Sequence, residues 1–390
     1  MKKYNILIVL TMKFDPNSGG VQRSTYKMAR HFYEKGCHVT ILSLKSGFEN
    51  EKYEFGEVLY LPDNKMKTHH NNKYVETIIK NKGIDIIINQ LGLRLNITRF
   101  LFKNKSKNIK LINVYRSNPF SFLQNYKETI SFSKNNNLFT NPVSLLGIKY
   151  YHILKHKIYY PLLFSYIDKF VMLSKKFESE LRYFYPRYPN KKVDYIPNPF
   201  YVNNDVDLNK KENMLLFVGR LDFSHKRADI LPEIWYELYA KLPDWKFCIV
   251  GDGIAKSYLE NKKKEYGLPR FEIEGKKDPI PYYQKAKIFC MTSAYEGFGN
   301  VLVEAQSHGV VPIAFNSYSA LSDILNHDYD SYYVKPFNIE EYVSYILKLA
   351  KDEEDLSIKA HNSLENSKRF DINHIGKKWF KMFDELKLRN

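Results

Sequence analysis

Ile6-Leu7-Ile8-Val9-Leu10 is a continuous apolar run, the pattern of a strand covered on both faces in a parallel sheet. A polar loop with Pro16 and Gly19-Gly20 follows it. A helix is then predicted over residues 21–35, where Met28, Ala29, Phe32 and Tyr33 fall at helical spacing and Gly36 stops it. The unit repeats. Further strands are predicted at 39–44, 84–89, 110–115 and 169–174, interleaved with helical stretches. The second half continues with strands at 214–218, 245–250, 271–274, 288–292 and 311–314, and helices at 230–241, 256–266, 281–285 and 301–308. Repeated strand–helix units specify open parallel sheets covered by helices, an α/β architecture. At 390 residues the chain has room for two such domains. The Pro197-Asn198-Pro199 turn and the polar stretch 203–213 mark the boundary between residues 1–200 and 201–370, with a cleft expected between the domains.

Several classes are excluded at this level. No apolar run approaches the roughly 18–20 residues of a spanning helix. Lys2-Lys3 ahead of the first run imitates a signal peptide, but the run is short and no small-residue cleavage site follows. Cys37, Cys248 and Cys290 are odd in number and far apart, so neither a disulfide framework nor a zinc cluster is expected, and a reducing cytoplasm is.

The net charge of +17 is unevenly distributed. Residues 1–200 carry 33 Lys+Arg against 14 Asp+Glu, while residues 201–390 carry 27 against 29. An AT-rich genome accounts for the 31 Tyr and 26 Phe, but not for an asymmetry within one gene. A basic half suits nucleic acid, an anionic membrane surface or a phosphorylated substrate. Nucleic acid requires a recognisable module or stacking platform, and neither is present. Residues 117–167 interrupt the alternation with Asn/Ser-rich sequence and a basic, aromatic segment at 150–164. That segment reads either as an interfacial helix in a headgroup layer or as a half-buried helix with aromatics inward and Lys outward.

Three features point to a phosphate-bearing ligand. Gly19-Gly20-Val21-Gln22-Arg23 stands between a strand end and a helix start, either a close-approach turn for an anion or a plain connection. Val218-Gly219-Arg220-Leu221, followed by Lys226-Arg227, puts cations at the carboxyl end of a strand, where α/β sheets bind ligands. Arg can chelate two phosphate oxygens, and Lys adds a mobile charge. The third feature is Tyr295-Glu296-Gly297-Phe298-Gly299-Asn300-Val301-Leu302-Val303-Glu304. Here a strand enters a glycine-interrupted turn and then a helix, so that amides of Phe298 to Val301 can cradle phosphate. Glu304 can accept two ribose hydroxyls, and Glu296 projects into the same cleft.

The third segment resembles the E-x7-E motif of glycosyltransferase family 4, retaining enzymes with the GT-B fold. The chain is similar to that family in further pieces, in order: Gly19-Gly20-x-x-Arg23, Asp194-Tyr195-Ile196-Pro197-Asn198-Pro199, Phe217-Val218-Gly219-Arg220-Leu221 with Lys226-Arg227, Ile249-Val250-Gly251-Asp252-Gly253, and Gly309-Val310-Val311-Pro312. The resemblance implies two Rossmann-like domains facing each other across a cleft, with residues 371–390 a C-terminal helix packing back on the first. It implies that Gly20 offers its amide to a donor diphosphate whose charge Arg220 and Lys226 neutralise. Gly19, Arg23 and Gly219 join the donor-binding set. Glu304 would hold the ribose hydroxyls, Glu296 the donor sugar near its 3-hydroxyl, and Phe298, Gly299, Asn300 and Val301 the sugar and phosphates. Where the family often carries His-x-x-Pro, this chain reads Arg116-Ser117-Asn118-Pro119, so Arg116 faces a phosphate or an acidic sugar instead.

The function so implied is sugar transfer from a nucleotide-sugar, with UDP expected on family frequency, to a glycan or a sugar on a lipid-pyrophosphate carrier in surface-polysaccharide assembly. A peripheral position on the inner face of the plasma membrane would suit it. No metal and no other cofactor is expected. Asp205-Val206-Asp207 and Asp328-Tyr329-Asp330 look like metal signatures of the other glycosyltransferase fold, but neither follows a strand at a nucleotide site. His152 and His156 at i,i+4 read better as surface or core residues than as a metal pair. The alternatives are a nucleotide-sugar 2-epimerase of the same fold, a nucleic-acid-binding protein and a catalytically dead carbohydrate-binding relative.

Overall fold

The computed structural model describes residues 3–121, 142–202 and 205–388. Residues 122–141 of the interruption and 203–204 of the boundary stretch lie outside the described residues. The chain divides into two compact units, Met1–Phe200 together with Ile372–Asn390, and Tyr201–Asp371.

The first unit runs β1 (Asn5–Leu10), α1 (Gly19–Glu34), β2 (His38–Ser46), β3 (Glu51–Tyr53), β4 (Gly56–Leu61), α2 (His69–Asn81), β5 (Ile86–Asn89), α3 (Leu95–Asn104), β6 (Lys110–Tyr115), α4 (Pro142–Phe164), β7 (Lys169–Met172), α5 (Glu178–Phe184) and β8 (Val193–Tyr195). Its sheet has the order β3-β4-β2-β1-β5-β6-β7-β8, parallel except for the short β3–β4 hairpin at one edge. The apolar runs become strands buried on both faces; Ile6 pairs with Val39 on one side and Ile86 on the other. The chain leaves β1 toward β2 on one side and returns to β5 on the other. That reversal opens a crevice at the carboxyl ends of β1 and β5, the usual ligand position in such sheets. Gly19 and Gly20 do not precede α1, as the sequence suggested. They form its first turn, where backbone amides have no acceptor within the helix.

The second unit runs β9 (Met214–Val218), α6 (Leu231–Tyr236), β10 (Lys246–Val250), α7 (Lys256–Glu265), β11 (Phe271–Gly275), α8 (Ile280–Lys285), β12 (Ile288–Met291), α9 (Asn300–Gln306), β13 (Val311–Phe315), α10 (Leu321–Ile324), β14 (Tyr332–Val334), α11 (Ile339–Lys351) and α12 (Glu353–Ser367). Its sheet, β11-β10-β9-β12-β13-β14, is parallel throughout. The helix expected over 230–241 is shorter, because Arg270 donates to the carbonyls of Tyr239 (2.7 Å) and Trp245 (2.8 Å) and holds that segment in turns.

The last helix, α13 (Ile372–Lys387), returns to the first unit. Its buried stripe of Ile375, Trp379, Phe380 and Phe383 recurs at helical spacing and meets Phe32 of α1, with ring centroids 5.5–6.2 Å apart. Burial of such large rings is among the larger contributions to a core. It fixes the helix whose first turn carries Gly19 and Gly20.

Candidate functional site

In the second unit the chain reverses direction across the sheet between β9 and β12, which are hydrogen-bonded neighbours. The segments leaving their carboxyl ends, 219–227 and 292–299, therefore meet. Asp222, 5% exposed, organises the first segment by accepting from the backbone amides of His225 (2.8 Å) and Lys226 (2.7 Å) and from Arg220 Nε (2.7 Å). Two bonds tie it to the second segment: Thr292 Oγ1 donates to the Lys226 carbonyl (2.7 Å) and the Ala294 amide to that of His225 (2.8 Å). Lys226 Nζ is thereby aimed at Glu296 and donates to its carboxylate. Ser293 Oγ donates to the same oxygen (2.8 Å), and His225 Nε2 lies 3.5 Å from the other. Arg220, held at Nε by Asp222 and with Nη2 3.5 Å from His225 Nδ1, keeps a side chain 67% exposed.

The electrostatics of Glu296 follow from this cage. Its 8% exposure disfavours the charged form, but the Lys226 charge and the hydrogen bonds from His225 and Lys226 outweigh that and hold the carboxyl well below the usual carboxylate range. A depressed native pKa contributes stability that is present above the unfolded value and lost as pH falls toward the folded one. On acidification from about pH 5, the melting temperature of the wild type should therefore fall more steeply than that of Glu296→Gln. Parallel slopes in a pH series of thermal scans would show that Glu296 has no such linkage.

Gly299 precedes α9 with φ +94°, in the left-handed region, and a Cβ there would sit 2.5 Å from the Tyr318 hydroxyl. Only glycine turns the chain here without strain. Phe298 is buried against Phe370, with ring centroids 5.6 Å apart, and its carbonyl accepts from Tyr318 Oη (3.3 Å), so its side chain shapes the turn and only its amide can face a ligand. Asn300 and Val301 open α9, and Glu304, one turn on, accepts from Tyr283 Oη at 3.3 Å. Gly219, Arg220, Lys226, Glu296, Phe298 to Val301 and Glu304 are thus brought to one edge of one sheet.

The remaining residues singled out in the sequence lie in the first unit. Gly19, Gly20 and Arg23 are on the first turns of α1. Arg116 follows β6, with Nε (2.9 Å) and Nη2 (2.7 Å) on Gln90 Oε1 and Nη1 on Asn198 Oδ1. Its partners are neutral, and burial draws its pKa down to about 9, which leaves it cationic at neutral pH. Gln90 continues β5, so Arg116 stands beside the reversal of the first sheet. The two Asp-x-Asp sequences are engaged elsewhere. Asp207 caps a short turn through the Asn209 amide, and Asp328 pairs with Lys359 at 3.2 Å. Sequence reasoning missed Asp222, His225, Ser293 and Gln90. Only the position of Asp222 and His225 inside a Gly-Arg…Lys-Arg segment signalled them.

Residues 203–369 match the family model of glycosyl transferases group 1, a match that falls on the second unit. The chain is 28% identical over 204 residues to the Campylobacter jejuni GalNAc-alpha-(1->4)-GalNAc-alpha-(1->3)-diNAcBac-PP-undecaprenol alpha-1,4-N-acetyl-D-galactosaminyltransferase, covering 50% of this chain and 56% of that protein. It is 30% identical over 189 residues to the amylovoran biosynthesis glycosyltransferase AmsD of Erwinia amylovora, covering 47% of this chain and 52% of that protein. The chain thus spans little more than half the length of these curated relatives. In fold it is similar to the crystal structure of Anabaena HepE in complex with UDP-glucose, with a TM-score of 0.73 and 15% identity over 97% of this chain and 99% of that one. The chain has the GT-B fold, and its second unit matches the glycosyl transferases group 1 family over nearly its whole length.

Proposed function

We propose that the chain is a retaining glycosyltransferase that moves a sugar from a UDP-sugar to a glycan or lipid-pyrophosphate-linked acceptor in surface-polysaccharide assembly. The observation that carries this reading is the convergence of Arg220, Lys226 and Glu296 on one sheet edge, fastened by Asp222. Arg220 and Lys226 supply the positive charge that a departing diphosphate needs, as fixed groups that require no reorganisation during the reaction. Glu296, held ionised, is a hydrogen-bond acceptor for a hydroxyl of the donor sugar. It is also too weak a base to deprotonate an acceptor efficiently. The diphosphate oxygen therefore takes that proton as the bond from the anomeric carbon to the diphosphate breaks and the bond to the acceptor oxygen forms. Attack from the leaving-group face retains the anomeric configuration. Glu304 holds the ribose hydroxyls, and Arg116 offers a cation to an anionic group of the substrate.

UDP is supported by the UDP-glucose complex of HepE, and a lipid-linked acceptor by the undecaprenol-diphosphate-linked glycan in the name of the Campylobacter relative. A 2-epimerase would need acid/base groups beside the sugar, and a carboxylate locked in its ionised form does not fit that task. No helix among the described residues is long and apolar enough to cross a membrane. The excess of 19 positive charges in residues 1–200 suits peripheral attachment to an anionic surface instead.

Thermal unfolding with a panel of nucleotides tests the reading, because a ligand of the native state raises its stability. With EDTA present, UDP and UDP-sugars should raise the melting temperature, while UMP and other nucleoside diphosphates should do so less. The absence of any shift, or a shift only with added Mg²⁺ or Mn²⁺, would overturn the metal-free donor site.

A further inference from the structure

Helix α4 has an apolar face pointing inward, where Ile153, Tyr160, Leu163 and Phe164 are all at most 8% exposed. It has a second apolar face pointing outward. Leu146, Tyr150, Leu154 and Ile158 follow one another at i,i+4, and with Tyr151 they are 51–63% exposed, a single stripe on the helix surface. The helix is therefore half-buried, but with apolar and aromatic residues on its outward face as well as its inward one. Lysines flank the stripe. Lys155 Nζ lies 6.0 Å from the Tyr151 ring centroid, and Lys157 Nζ lies 5.6 Å from that of Tyr183, itself 46% exposed. No Asp or Glu occurs between Glu128 and Asp168.

An exposed contiguous apolar patch of this kind marks an interaction site, and the surrounding charge selects the occupant. A second copy of the same face would set lysines against lysines with no carboxylate on the helix to pair them. A bilayer with anionic headgroups supplies phosphates for the lysines and an acyl boundary for Leu146, Leu154 and Ile158. Tyr150 and Tyr151 suit the headgroup level, and long lysines reach back toward it. We propose that this face of α4 docks the first unit on an anionic lipid surface. The proposal deepens the proposed function by naming where a lipid-carried acceptor is met, and it rests on that reading for its purpose but not for its test.

The test uses the full chain with vesicles of phosphatidylcholine alone or mixed with phosphatidylglycerol. Leu154→Cys is labelled with a polarity-sensitive dye; Cys37, Cys248 and Cys290 are buried, which directs the label. The dye should shift to the blue on the mixed vesicles and not on the neutral ones, and the shift should weaken with salt. Leu154→Glu with Ile158→Glu should lower vesicle binding by at least about tenfold, and Lys155→Gln with Lys157→Gln by about fivefold per lysine. Both variants should keep their UDP-induced thermal shift. Absence of a dye shift, or equal binding to neutral vesicles, would overturn the proposal. So would a concentration-dependent dimer in solution that Ile158→Glu abolishes, since the face would then belong to a second copy. Vesicle binding without any UDP response would instead refute the donor reading and leave the lipid surface standing.

Discussion

Lys226→Ala should lower the rate of sugar transfer by roughly 10²–10³-fold, the usual cost of removing one preorganised charge at a developing anion, and should also destabilise the second unit. The side chains of Lys226 and Glu296 are only 14% and 10% exposed. Deleting the lysine strands a buried carboxylate, and breaking a buried pair in this way costs about 3–5 kcal/mol. The two effects separate in a second variant. Lys226→Met combined with Glu296→Gln removes both charges together, which is far less costly than removing one, so its melting temperature should recover much of the loss. Its kcat/KM should stay low, because neither the cation for the diphosphate nor the carboxylate for the sugar is restored. Recovery of activity along with stability would make the pair a structural strut and remove the basis of the proposed mechanism.

The parts of this site that were legible in the sequence are those carried by the strand-to-loop transitions. Apolar runs such as 214–218 and 288–292 end in Gly219-Arg220 and in the Glu296–Gly299 turn, and a parallel sheet must put both at its carboxyl edge. What the sequence could not show is which side chains hold the cations in place. Asp222 looks like one more acidic loop residue until its three hydrogen bonds are seen, and Ser293 gives no periodic signal at all. The same holds for Arg116, whose neutral partners Gln90 and Asn198 come from segments 26 and 82 residues away in the chain. The edge strands β3 and β14 escaped for a different reason: three residues each carry too little alternation to be recognised. In α4 the sequence offered two readings because apolar residues occur all round the helix, and only exposure separates its inner face from its outer one.

Gly251→Ala should weaken donor binding without touching a charged residue. Gly251 follows β10, and an added Cβ would lie 1.8 Å from the carbonyl oxygen of Gly219 and 3.0 Å from its carbon. These are backbone atoms of the neighbouring strand end, so no rotamer change can relieve the clash. Gly219 donates to the Val250 carbonyl (3.1 Å) and Leu221 to that of Asp252 (2.9 Å), so the ends of β9 and β10 must separate together. Overpacking of this kind costs about 1–3 kcal/mol, and a backbone contact belongs at the upper end. The displaced segment carries Arg220 and leads into Asp222, His225 and Lys226. UDP affinity, measured well below the melting temperature, should therefore fall by about tenfold or more, equivalent to about 1.4 kcal/mol or more. If stability drops while UDP binds as before, Gly219–Lys226 does not contact the donor, and the diphosphate must be held elsewhere on the chain.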